Sequence, residues 1–428
     1  MSDAMGFMLA ARRCEMQGLQ GLELTCALVE RISRLVHALQ RERGFSNIYL
    51  GSAGERFLPG LEKLVEDSMV EARQVREGLR RIDLESGCGS DKARLFNRIA
   101  FVLHSLDGLP ELREKVRSRA LSPKDATRAF TRPIGGLLAV VFEAADTAVD
   151  PDITRELVAL FNFMQGKELA GQERALGVAG FAAGHFEPSQ QERLRSLQES
   201  QQRCFTTVEE YAEPAILTLW AQLCAHASCA EIGRLRQVAA RSSCADPITA
   251  PLGEIWFELT SWRIDAMKQI EERMTEQLHE RCSAKIAEAQ AALDDHHAQA
   301  QRLSSLGETV EQAPAQVFNI QATDLDAAPA DNLGNQMQRS MLDLLHAQTR
   351  RLQALSEELE EARRSLSERK VIERAKAALM RQHGLQDDEA YRLLQNAAME
   401  RGQRLVDVAQ TVLTYADLLQ QKKRPARR

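Results

Sequence analysis

The chain has 428 residues, 44% hydrophobic, 27% charged and only 5% aromatic. That length exceeds what one hydrophobic core usually supports, so two or three domains are expected. No run approaches the roughly 20 apolar residues of a membrane span, which excludes an integral membrane protein from the expectation. The formal net charge of −6 argues against a uniformly basic nucleic-acid coat, although an average over several domains conceals local patches. Few aromatic residues, with abundant Ala, Leu, Gln, Glu and Arg, set the expected class as all-α.

The N-terminus MSDAMGFMLAARRCEMQ has no basic region ahead of its short apolar patch and carries Asp3 there, so no signal peptide is read and a cytoplasmic location is expected. From Leu22 to Leu50 the residues Val29, Ile32, Leu35, Val36 and Leu39 recur at three- and four-residue spacing, which predicts one buried stripe along a long helix. Helical pattern continues with breaks at Gly51–Pro59, Glu85–Asp91, Gly108–Pro110, Ser122–Lys124, Asp150–Asp152, Glu187–Ser189 and Cys244–Pro251. These delimit about eight helices, the last running from about Trp256 to His297, and short loops between them favour one or two antiparallel bundles. After Leu303 the composition shifts to a linker with few periodic apolar positions. Leu345, Leu352, Leu359 and Leu366 then fall seven apart, as in a coiled coil that would pair two chains; a single amphipathic helix packed on its own chain is the alternative. The expected organisation is a helical domain over 1–304, a linker at 305–335, a coiled-coil helix at 336–366, a three-helix module at 367–420 and a basic tail at 421–428.

Eight cysteines lie scattered without a CxxC pair, so neither a disulfide framework nor a zinc site is expected. The chain contains no GxxxxGK[ST], HExxH or GxSxG motif, so neither an enzyme nor a bound cofactor is expected.

Residues 367–428 hold 13 Lys/Arg against 8 Asp/Glu, or +5, which leaves −11 for the rest of the chain. Within this block Ile372, Ala375 and Leu379, then Ala390, Leu393, Leu394 and Ala397, then Leu405, Val408, Ala409 and Val412 line three short helices divided by Gly384 and Gly402. Spacing alone implies only a mini-domain. The segments IERAK, LM, EAYRLL, AAM and RLVDVA resemble the ANTAR family of RNA-binding antitermination domains over about fifty residues. Ala377 stands where that family often has Gly. The resemblance implies a homodimer that binds two adjacent hairpins of a leader RNA and prevents a terminator from forming. Because A-form stems hide their base edges, phosphates and loop bases are the accessible targets. Lys376, Arg392, Arg401 and Arg404 are the candidate RNA contacts; each, taken singly, is equally readable as surface charge.

In RLVHALQRERGFSNIYL, extending the stripe from Leu35 and Leu39 places Arg43 inward and Arg41 on another face. A buried guanidinium needs an anionic partner, and its flat fork of donors suits a planar oxyanion or a carboxylate. An internal salt bridge to Glu42 or to an acid on a neighbouring helix is therefore the alternative to a bound anion. Glu173-Arg174-Ala175-Leu176-Gly177 echoes Glu42-Arg43-Gly44-Phe45-Ser46, as if two related halves each placed an Arg beside small residues. The segments RERGFS, KELAGQERALG with FAAGHF, and EIGRLRQVAARS together resemble the NIT, or nitrate- and nitrite-sensing, family over roughly residues 25–300. That resemblance implies a pair of four-helix bundles holding nitrate or nitrite as effector between arginines. Arg43 carries over through RERG, Arg236 is the expected partner, and Arg174 is the reserve; Glu42 or Glu173 would neutralise them when no anion is bound. A NIT-like block ahead of an ANTAR-like block implies an anion-responsive antitermination regulator. The alternative is a coiled-coil signalling protein whose terminal module binds DNA or a protein partner.

Overall fold

The computed structural model describes residues 2–307 and 371–422 other than 53, 55–57, 81–89, 149, 244–246, 249–251, 382–384 and 386, together with Leu359 and Glu368. Among the described residues every regular element is a helix: α1 (Ser2–Gly51), α2 (Leu58–Arg80), α3 (Ser90–Asp107), α4 (Leu109–Arg117), α5 (Pro123–Thr147), α6 (Pro151–Ala183), α7 (Pro188–Tyr211), α8 (Pro214–Ala225), α9 (Ala227–Arg241), α10 (Leu252–Gly307), α11 (residues 371–381), α12 (Asp387–Arg401) and α13 (Leu405–Lys422). The class is all-α, as the composition predicts. No single helix among the described residues is long and apolar enough to cross a membrane. The coiled-coil segment 336–366 falls outside the described residues apart from Leu359.

Helix starts follow local chemistry. At α5, Ser122 Oγ accepts from the Asp125 backbone N–H at 3.1 Å, with Pro123 in the first turn. At α6, Asp150 Oδ1 accepts from the N–H groups of Asp152 and Ile153 at 3.0 and 3.1 Å, again ahead of a proline. Proline is tolerated there because its missing donor would have had no intrahelical partner. The stretch read from sequence as one helix after Ser189 is instead α7, α8 and α9. Pro214 holds Glu213 extended at φ −64° and ψ 149°, which ends the helical path. His226 opens α9 by accepting from the Ser228 N–H at its Nδ1, 3.2 Å away, a start that neither Gly nor Pro announces.

The α1 stripe is buried as its period requires: Val29, Leu35, Val36 and Leu39 are at 0% exposure and Ile32 at 1%. Helix α1 packs on α2, α5 and α10, α3 packs on α5, and α6 packs on α5, α7 and α10. Helices α1, α6 and α10 therefore run together through the interior, and any polar side chain on their facing stripes is enclosed. A second apolar cluster joins Phe181, Phe186, Ile232, Leu235 and Trp256 near the end of α6. In the C-terminal module Ala375, Leu379, Ala390, Leu394, Val408 and Ala409 form a separate small core. Leu393, expected in that core, is 47% exposed.

Candidate anion-binding site

Arg43 points inward from α1 and is 1% exposed. Its Nη1 and Nη2 donate to Glu168 Oε1 and Oε2 on α6 at 2.6 and 3.0 Å, and Nη1 also donates to Thr131 Oγ1 on α5 at 2.9 Å. Glu168 accepts two further bonds, from Gln40 Nε2 at 2.9 Å and from Gln172 Nε2 at 3.0 Å. The fork-to-fork pair of guanidinium and carboxylate is the strong form of this interaction, and four neutral or cationic donors around one carboxylate meet most of the cost of burying it.

Arg174 approaches the same place from α6. It is 5% exposed, donates from Nη1 to Ser261 Oγ on α10 at 2.9 Å and from Nη2 to the Gln40 carbonyl at 3.2 Å, and lies with its guanidinium carbon 5.3 Å from the Phe257 ring centre. Its contacts are with neutral groups, and it takes part in no ion pair among the described residues. Burial, and after it the positive charge of Arg43, pushes the Arg174 guanidinium down to about 10. The two arginines cross: a Cβ added to Gly44 would lie 2.7 Å from Arg174 Nη2, and one added to Gly171 would lie 2.7 Å from Arg43 Nη2. Each glycine makes room for the guanidinium carried by the other helix. Between them a small cavity is lined by Arg43, Gly44, Gly171, Arg174 and Phe257 among others. Glu168 pairs with Arg43, while the charge of Arg174 is favoured by Asp265 and Glu168 and opposed by Arg41 without an ion pair to any of the three.

The structure does not bring Arg236 to Arg43. Arg236 Nε and Nη2 each donate to Glu173 at 2.7 Å, and Gln198 and Gln201 add bonds to the same carboxylate at 3.0 and 2.9 Å. Burial would raise the Glu173 carboxyl, but the Arg236 charge overcomes it and holds it below the usual range. The apolar neighbours Ile232, Leu235 and Ala239 are buried as their spacing requires, yet Arg236 turns toward the acid beside Arg174 and does not line the cavity. Of the two acids offered by the sequence reading, Glu173 meets Arg236 and not Arg43, and Glu42 meets neither, being taken by Arg113 at 2.8 and 3.0 Å and by Ser68. The partner of Arg43 is an acid on a neighbouring helix, the pairing held open as the alternative to a bound anion, and the residue that sequence reasoning did not name is Glu168. Its signal lies in KELAGQERA, where Glu168, Gly171 and Arg174 follow in three-residue steps along one side of α6.

A second buried charge cluster continues along the same three helices. Lys167 pairs with Glu271 at 2.6 Å, both fully buried, and Lys268 donates to Ser33 at 2.7 Å and to Glu271 at 3.2 Å. Burial lowers Lys167 to about 8; burial would raise Glu271, but Lys167 and Lys268 bring it down to about 2. His37, one turn from Gln40, is lowered to about 2 by burial and then by Lys167.

In the C-terminal module Lys376 is 8% exposed, donates to Glu373 at 3.0 Å and stands 5.9 Å from the Tyr391 ring centre. Arg392 pairs with Glu192 of α7, and Tyr391 lies under the Arg203 guanidinium at 4.4 Å. Arg401 is exposed. Arg404 is 71% exposed and reaches Asp407 at 3.2 Å and Glu368 at 3.4 Å. The four candidates therefore share a module without converging on one point.

Residues 34–279 match the profile of the NIT family, described as nitrate and nitrite sensing, and residues 360–413 match the ANTAR domain. The chain is 33% identical over 413 residues to the nitrate regulatory protein of Klebsiella oxytoca, covering 95% of this chain and 94% of that protein. It superimposes on the solved structure of the NasR transcription antiterminator with a TM-score of 0.59 at 31% identity, covering 96% of this chain and 99% of the other. With more than half of its length inside the NIT match and a near full-length relative above 30% identity, the chain belongs to the NIT family of nitrate- and nitrite-sensing proteins and carries an ANTAR domain behind the sensor.

Proposed function

We propose that the chain is a nitrate- or nitrite-responsive antitermination regulator whose anion seat is the crossing of Arg43 and Arg174. The single observation that carries the reading is charge: Glu168 pairs with Arg43, whereas the buried guanidinium of Arg174 beside it bonds only neutral groups, so the groups bonded at the seat are short of one negative charge. A monovalent anion brings it to neutrality; a divalent one such as sulfate overshoots and must bury an uncompensated charge, which is costly. Planar nitrate and bent nitrite present oxygens in the plane of a guanidinium fork, as a carboxylate does. The cavity holds only about 10 Å3, close to the room for one water, so uptake requires the Arg43 fork to share its donors between Glu168 and the anion as α1 and α6 shift. In this reading Arg236 acts through Glu173: it occupies the acid next to Arg174, which would otherwise compete for that guanidinium.

Residues 1–304 serve as sensor, 305–335 as linker, 336–366 as the coiled coil of a homodimer, and 367–420 as the RNA-binding module with its basic tail at 421–428. Two such modules engage a pair of adjacent hairpins in leader RNA. Arg401 supplies phosphate contacts directly; Arg404 does so after leaving Asp407 and Glu368, Arg392 after leaving Glu192, and Lys376 after leaving Glu373. The anion acts as effector by favouring the arrangement of α1, α6 and α10 that lets the module bind.

Calorimetric titration of the full chain with nitrate, nitrite, chloride and sulfate tests the seat. Nitrate or nitrite is expected to bind at one site per chain, with sulfate silent. Arg174→Met is the informative variant, because Arg174 is charged at a cost and its removal relieves repulsion with Arg43. Folding stability is expected to hold or rise while anion affinity falls at least tenfold, roughly 1.4 kcal/mol. Unchanged affinity in Arg174→Met would remove the assignment.

A further inference from the structure

Beside the buried seat lies a much larger open cleft of about 790 Å3, walled by α1, α5, α6 and α7. Its floor is apolar, with Ala175, Leu176, Val178 and Ala179 of α6, and its rim carries Lys124, Arg128, Arg132 and Arg193 with no carboxylate among the lining residues. Lys124, Arg128 and Arg132 are exposed on successive turns of α5. The cleft and the seat are adjacent: Asn47, Ala175 and Val178 line both.

Two cleft-lining side chains stand directly against the buried ion pair. Thr131 Oγ1 accepts from Arg43 Nη1 at 2.9 Å and donates to the Thr127 carbonyl at 2.8 Å. Gln172 donates to Glu168 at 3.0 Å and accepts from Arg193 Nη2 at 3.4 Å. A bonded chain therefore runs from the cationic rim through Gln172 to Glu168 and Arg43. An anion drawn to Arg193 competes with Gln172 Oε1 for that donor, and once Gln172 turns away Glu168 loses one of its four donors.

We propose that this cleft is the entrance to the anion seat, with Lys124, Arg128, Arg132 and Arg193 collecting the anion and Thr131 and Gln172 as the two side chains that yield to admit it. The inference rests on the seat proposed above and adds a route and a rate to it. A concave surface of one charge sign with apolar walls concentrates counter-ions and raises association rates, and salt weakens the effect. Affinity set at the seat is untouched by a change at the entrance unless the change reaches the seat.

The test is stopped-flow mixing of the full chain with potassium nitrate, read by tryptophan fluorescence, since Trp256 Nε1 donates to the Arg174 carbonyl at 3.1 Å and reports on that helix. The double variant Arg128→Gln/Arg132→Gln is expected to associate roughly three- to tenfold more slowly at low ionic strength, with dissociation unchanged and a flatter salt dependence. Arg234→Gln, which removes a charge from an exposed side chain of α9 outside the cleft, is expected to leave both rates alone. Ala179→Phe, which narrows the cleft, is expected to slow association and dissociation together at constant affinity, as an obstruction on a path does and a damaged seat does not. Wild-type binding with association rates unaltered in the double variant and in Ala179→Phe would overturn the entrance and leave the seat standing. Absence of any nitrate or nitrite heat in the wild type would overturn the seat and the entrance with it.

Discussion

At the scale of single residues, the interior of this protein is unusual for the charge it carries rather than for the charge it exposes. Arg43, Glu168, Lys167 and Glu271 are all below 5% exposure and lie in ion pairs, whereas the neighbouring Arg174 makes its hydrogen bonds to neutral groups. His37 is the exception on the titratable side. It faces Lys167, Lys268 and Arg41, which oppose protonation, with Glu271 and Asp265 as the nearby acids. Burial, followed by Lys167, lowers it to about 2 from the ordinary 6.5, so between those values the unfolded chain binds a proton that the folded chain refuses. The sign is then fixed: stability attributable to His37 is fully present above pH 6.5 and declines as the pH falls below it, by at most about 1.4 kcal/mol per pH unit. Chemical denaturation at pH 7, 6, 5 and 4 checks this. His37→Gln is expected to lose part of the acid slope that the wild type shows, and parallel slopes in the two proteins would contradict the account.

Among elements, the decisive contacts are places where a glycine lets two helices close on a large side chain. A Cβ on Gly177 of α6 would lie 2.2 Å from Trp256 Nε1 of α10, and Trp256 is 1% exposed with its N–H committed to the Arg174 carbonyl. The Trp ring has nowhere to move, so Gly177→Ala is expected to destabilise by about 1–3 kcal/mol through overpacking, despite the gain of up to about 1 kcal/mol that Ala brings to a helix interior. Gly233→Ala in α9, where nothing lies within 4 Å, isolates that gain and is expected to stabilise. Denaturant unfolding of the pair separates the two signs. These elements also mark what the sequence discloses. The stripe from Val29 to Leu39 is legible because burial of one helix face imposes its period on the residues, and Arg43 is legible as an inward side chain by extending that period. The caps before Pro123, Pro151 and Pro188 are legible because proline at a first turn leaves a local mark. The α8–α9 break was hidden because His226 caps through its ring, and Leu393 was misplaced because an apolar residue next to the buried stripe of Ala390 and Leu394 satisfies the spacing without facing the core. Glu168 was missed, and Arg236 placed near Arg43, for one reason: which charge meets which depends on how α1, α6 and α9 approach one another, and one-dimensional spacing carries no information about approach.

For the whole molecule, the proposed switch links two charge problems of opposite sign. The sensor seat is short of one negative charge, and the last 62 residues carry +5 in a chain whose remainder carries −11. If the module binds phosphates, counterion release makes the affinity of the full chain for a two-hairpin RNA fall linearly on a log–log plot against salt, and Arg401→Ala and Arg404→Ala should each flatten that slope by roughly 0.7 to 0.9. The acidic remainder of the chain raises the stakes, since an RNA that approached the sensor would meet net negative charge. Coupling between the sites is then constrained by thermodynamics: whatever factor nitrate adds to RNA affinity, RNA must add to nitrate affinity. A hundredfold effect, about 2.7 kcal/mol, requires the anion to prefer the RNA-competent arrangement by at least that much. Titrating RNA at zero and saturating nitrate, and nitrate at zero and saturating RNA, closes the cycle at one salt concentration. Equal factors are expected in the wild type and a factor of one in Arg174→Met, whereas salt-dependent RNA binding with no nitrate term in the wild type would separate the sensor from the module and dissolve the proposed linkage.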